Sequence, residues 1–127
     1  MKKILGFSLI TISLFFTFLS ANADDFLSLL SQKKPYAVLI YADWADNKES
    51  ALQAFDNIQG TFENRYNFSS INIASQDAKA FNQKYYIYTN LPYVMLFKEN
   101  GRISRWIGRD CLIDSSCMKD QLELFAN

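Results

Sequence analysis

Residues 36–42 (YAVLIYA) are apolar at almost every position, with Val and Ile among them, the pattern of a strand buried on both faces of a sheet. Further on, the period lengthens. Ala51, Phe55, Ile58, Phe62 and Tyr66 recur at spacings of four, three, four and four, predicting one buried face of a helix about five turns long. Gly60 inside it costs about 1 kcal/mol relative to alanine. Asp46 is expected to cap this helix, with Glu49 three residues on completing a capping box. Residues 68–74 (FSSINIA) alternate and predict a second strand, and residues 77–86 a third helix with Ala78, Phe81 and Tyr85 inward. Pro92 opens a strand over 93–98, Glu99-Asn100-Gly101 is a tight turn, and residues 102–107 return as the second arm of a hairpin. A short loop after Gly108 carries Cys111, and Met118, Leu122 and Phe125 mark a last helix over 115–125. Ahead of the first strand, Phe26, Leu29 and Leu30 share a face of a short helix over 25–34 that Pro35 stops.

The order is thus helix, strand, helix, strand, helix, hairpin, helix. The first two strands and the long helix between them make a βαβ unit, which requires parallel strands and a right-handed crossover. The hairpin then adds antiparallel strands at one side. The expected fold is α/β, a mixed four-stranded sheet flanked by helices, in one domain over residues 24–127.

Residues 1–23 read as an export signal. Lys2 and Lys3 form a positive start, residues 4–19 an apolar core, and Ala21-Asn22-Ala23 a small-x-small cleavage site. A signal anchor is the rival reading, but the apolar stretch is barely long enough to span a bilayer. The expectation is cleavage before Asp24, no stable membrane insertion afterwards, and a periplasmic or secreted bacterial protein.

Charge and composition then exclude several functions. Without Lys2 and Lys3, thirteen basic and thirteen acidic residues become a net charge of −2, which offers no electrostatic footprint for nucleic acid. The chain has no histidine, which removes His-based acid–base catalysis and most zinc-site patterns. No cofactor is called for. The two cysteines, Cys111 and Cys117, are expected to pair in an oxidising compartment.

Two motifs carry a resemblance. Tyr41-Ala42-Asp43-Trp44 ends the first strand, and Leu91-Pro92 opens the third, with Phe97-Lys98-Glu99-Asn100-Gly101 as the hairpin and Gly108 closing the last strand. Over residues 34–108 the chain resembles the thioredoxin superfamily, in particular the C-terminal periplasmic domain of the membrane thiol:disulfide interchange reductases. That resemblance implies a thioredoxin-like fold, a cis-proline at Pro92 and a peptide groove formed by Trp44, Ala45, Leu91, Pro92 and Gly108. It also implies two redox cysteines after Trp44. Here Ala45 stands at the first place, and Lys48 or a deletion at the second. Leu39 stands where the family often carries a buried aspartate that assists proton transfer.

A site without thiols cannot use the lowered thiol pKa on which dithiol exchange depends. The expected function is therefore a non-catalytic module that pairs with an extended segment of an envelope or secreted protein. The alternative is a thiol–disulfide oxidoreductase working through Cys111 and Cys117, which otherwise serve as a staple before the last helix. Trp44 otherwise covers the helix start, and Pro92 is otherwise architectural. Asp43, Asp46 and Glu49 admit a metal or acid–base role beside helix capping. Lys48 admits a nucleophilic role beside a solvated one. Tyr85, Tyr86, Tyr88 and Tyr93 line either a binding surface or the core.

Overall fold

Four strands and four helices follow one another in the computed structural model, which describes residues 33–87 and 89–127. They are β1 (Tyr36–Tyr41), α1 (Lys48–Phe62), β2 (Asn67–Asn72), α2 (Gln76–Lys84), β3 (Tyr93–Lys98), β4 (Ile103–Ile107), α3 (Arg109–Ile113) and α4 (Ser115–Ala126). The expected signal over residues 1–23, most of the helix expected over 25–34, and Tyr88 lie outside the described residues.

The sheet order is β2-β1-β3-β4. β1 pairs in parallel with β2, Tyr36 opposite Asn67, and antiparallel with β3, Ile40 opposite Tyr93. β3 and β4 are antiparallel, Val94 opposite Ile107. The continuous apolar run of β1 is explained by its two covered faces. Val38 and Ile40 join Ile71, Phe81, Tyr93 and Phe97 on the side of α2. Ala37 and Leu39 join Phe55, Phe62, Leu96, Met118 and Leu122 on the side of α1, α3 and α4. Full burial of a side chain such as Phe81 or Leu122 stabilises by roughly 1.5–3 kcal/mol.

Tyr66 follows α1, and its buried hydroxyl donates to the Leu122 carbonyl at 2.6 Å. Burial pushes that phenol well above its ordinary pKa, so it stays a donor. At the hairpin tip Glu99, Asn100 and Gly101 all have positive φ (55°, 60° and 80°), the left-handed geometry that matches strand twist.

Several boundaries differ from expectation. Asp46 does not cap α1: Asn47 does, in the left-handed region at φ 65°, with no side-chain capping bond and hence no capping box. The β1–α1 turn is closed instead by backbone, Ala45 N–H to Ala42 carbonyl at 3.2 Å. The last residues expected in the second strand form a turn, in which Ser75 caps α2 by accepting from the Ala78 N–H. Cys111 lies in the short helix α3 rather than in a loop, because Arg109–Ile113 completes a turn with Leu112 buried.

Candidate functional site

Antiparallel pairing brings three distant segments to one end of the sheet. Where β1 ends, β3 begins and β4 ends, so residues 42–47, 89–92 and 108–111 converge. Between them lies an open groove of about 670 Å³, lined by Trp44, Ala45 and Asp46 on one side and by Trp106 and Gly108 to Cys111 on the other, with Thr89, Asn90 and Leu91 also facing it.

Of the residues singled out in the sequence, Trp44, Ala45, Leu91 and Gly108 share this groove. Pro92 does not line it: the residue is buried, and its peptide bond to Leu91 is cis. The Leu91 N–H already donates to the Thr89 carbonyl at 2.9 Å. An extended guest pairing at Leu91 N–H must exchange that local bond for its own.

The two tryptophans are held differently. Trp44 is 72% exposed on the turn that leaves β1. Trp106, on the edge strand β4, is 47% exposed and lies across Gly108, where a Cβ would come within 2.7 Å of its ring. Its other neighbour is Tyr93, with ring centroids 6.2 Å apart. Glycine at 108 is thus favoured by the close approach of this ring rather than by φ. Sequence reasoning missed Trp106, although its place two residues before Gly108, in a strand arm, was a usable signal.

Cys111 and Cys117 form a disulfide, S–S 2.07 Å and Cα–Cα 5.2 Å. Cys111 faces the groove, and both cysteines are half-buried. Asp114 lies between them and accepts from the Ser116 and Cys117 N–H groups, capping α4.

Lys48 is ion-paired rather than free. It is only 26% exposed and pairs with Asp43 at 3.2 Å and Glu49 at 3.7 Å. The hydrogen bond from Lys48 to Asp43 raises the ammonium pKa, the opposite of what a nucleophilic amine needs. Asp43 is correspondingly held below its ordinary 3.8, first by a hydrogen bond from Asn72 and then by Lys48. Among the described residues no group of three or more metal-ligating side chains comes together. Tyr85 packs in the core, its ring 4.6 Å from that of Phe97 and its hydroxyl donating to Gly101 carbonyl, while Tyr93 is buried and Tyr86 is exposed.

The chain has a thioredoxin fold. It superposes on a thioredoxin of Malassezia sympodialis (Mala s 13) with a TM-score of 0.65 at 18% identity, covering 82% of this chain and 85% of that one. The Trx4 domain of ERdj5 matches with a TM-score of 0.65 at 16% identity over 80% of this chain and 89% of that domain. A mutant thioredoxin of Entamoeba histolytica matches with a TM-score of 0.59 at 20% identity, covering 80% and 91%. No protein-family model and no curated protein matches the sequence.

Proposed function

We propose that this chain is an exported binding module of the bacterial envelope, built on a thioredoxin fold without its dithiol, that holds an extended segment of another envelope or secreted protein. One observation carries the reading: the groove beside the β1–α1 turn has an exposed tryptophan on each side and no thiol in that turn. Ala45, where the resemblance calls for the first cysteine, is buried and has no group able to attack a disulfide. Lys48 is held as a cation. The residues left at this end of the sheet suit contact rather than bond exchange, with an aromatic surface for a guest side chain and backbone at 89–91 for β-type pairing. Export rests on the sequence of residues 1–23.

Affinity for extended peptides tests the proposal. Replacing Trp44 with alanine is expected to weaken binding on the order of tenfold or more while leaving the melting temperature unchanged. Unaltered affinity would remove the groove from consideration.

A second reading is favoured by one contact: Cys111 faces the same groove. On that reading the Cys111–Cys117 disulfide is the reactive couple of an oxidoreductase. Redox titration with alkylation and mass analysis separates the two. A midpoint below roughly −300 mV marks a structural bond, and one between about −120 and −230 mV lies in the range of exchange catalysts.

A further inference from the structure

The groove is not only aromatic. Each side brings a tryptophan together with an aspartate: Trp44 with Asp46 from the β1–α1 turn, and Trp106 with Asp110 from the end of β4 and the start of α3. Both aspartates are exposed, and neither makes an ion pair among the described residues. Arg109 is the one basic residue of the lining, so the charge facing the groove is negative by one. Among the described residues the ion-paired acids are Asp43, Glu49 and Glu123, none of which lines the groove. Asp46 and Asp110 are left to solvent beside aromatic rings.

Resting on the reading of this groove as a peptide site, we infer that it selects a segment carrying an arginine or lysine side chain, which lies between Trp44 and Trp106 with its charge toward Asp46 and Asp110. The physical fit has two parts. A long basic side chain lays its apolar stem along an indole while its cation is attracted to the ring face. Carboxylates flanking the rings add a charge complement that favours a basic guest and penalises an acidic one. Trp106 is the more fixed of the two platforms, since Gly108 and Tyr93 hold its ring. Trp44, on an exposed turn, closes from the other side.

The molecule supplies its own readout. Its only two tryptophans are Trp44 and Trp106, so all indole fluorescence reports on the groove. The test titrates the exported, oxidised chain with three capped pentapeptides: Ala-Leu-Arg-Leu-Ala, the same peptide with neutral citrulline in place of arginine, and the same with glutamate. The arginine peptide is expected to bind about tenfold tighter than the citrulline peptide at low ionic strength, and the glutamate peptide weakest. That preference should shrink to within about threefold in about 0.5 M salt, where the Debye length is only a few ångström. It should shrink equally in the double variant Asp46→Asn, Asp110→Asn. In Trp44→Leu, read through Trp106 alone, affinity for the arginine peptide should fall by a larger factor than that for the glutamate peptide, narrowing the preference between them. Equal binding of all three peptides would overturn the inference and leave the groove as a peptide site. Binding of none would overturn both.

Discussion

On one side of the groove a helix of fifteen residues starts at Lys48 with no side-chain cap, and on the other a helix of five residues starts at Arg109 and is tied to its neighbour by a disulfide. These two helix starts are held in place by different means. α1 buries Ala51, Phe55, Ile58 and Phe62 against the sheet, so its position is set by packing along its whole length. An uncapped first turn is tolerable there, because helices in proteins owe most of their stability to a buried face. α3 buries only Leu112 and is too short to hold itself. The Cys111–Cys117 bond and the Asp114 cap supply the restraint that burial does not. The two cysteines thus tie down a short helix that has a single buried residue.

The hardest blow to that contrast falls on the packed side. Leu39 is fully buried beneath α1, in contact with the cluster that includes Phe55 and Leu122. Leu39→Asp is expected to cost roughly 3–5 kcal/mol, since no partner for a carboxyl exists in an apolar cluster. Thermal denaturation measures it. A loss under about 1 kcal/mol would mean that α1 is not held by burial.

The tied side should respond less. Replacing both Cys111 and Cys117 with serine is expected to lower stability by about 2 kcal/mol, the chain-entropy value for so short a loop. Urea unfolding with an unchanged slope would report it. A loss as large as that of Leu39→Asp would reverse the ranking.

Smaller again is Gly108→Ala. The added methyl meets the far end of a side chain, the Trp106 ring at 2.7 Å, so the ring can swing away at a cost under about 1 kcal/mol. The expected sign is a red-shifted tryptophan emission as Trp106 enters water. An unshifted spectrum with a large stability loss would place the strain in the backbone instead.

The smallest effect concerns the uncapped start of α1. Asp43 is held below its ordinary 3.8 by Asn72 and Lys48, so the folded state binds a proton there less readily than the unfolded chain. Its contribution is therefore present above the unfolded pKa and is lost as pH falls through the folded one. In a carboxyl NMR titration Asn72→Ala should move the Asp43 pKa upward toward 3.8. No movement would leave Lys48 as the whole cause.

Much of this architecture is legible in the residue order. The unbroken apolar run of β1 signals burial on two faces, and the four-three-four spacing from Ala51 to Phe62 signals α1. The departures are local and share a cause. Asp46 has the chemistry of a cap, yet Asn47 enters the left-handed region and takes the position. Asn is tolerated there, and capping depends on backbone angles that composition does not reveal. Lys48 reads as solvated in the sequence because its partner Asp43 lies across a turn whose course the sequence leaves open.

What the sequence by itself determined is the kind and order of the described elements other than α3, the pairing of its two cysteines and the absence of thiols in the turn after Trp44. These follow from period, from turn chemistry and from residue identity, all of which are local. Which residues meet at the groove was decided only by the tertiary structure. Trp44, Trp106 and Asp110 come from separate segments, and only antiparallel pairing of β3 with β1 and with β4 carries them to the same end of the sheet. The placing of Trp106 depended on one more such fact, the bare Cα of Gly108 over which its ring lies.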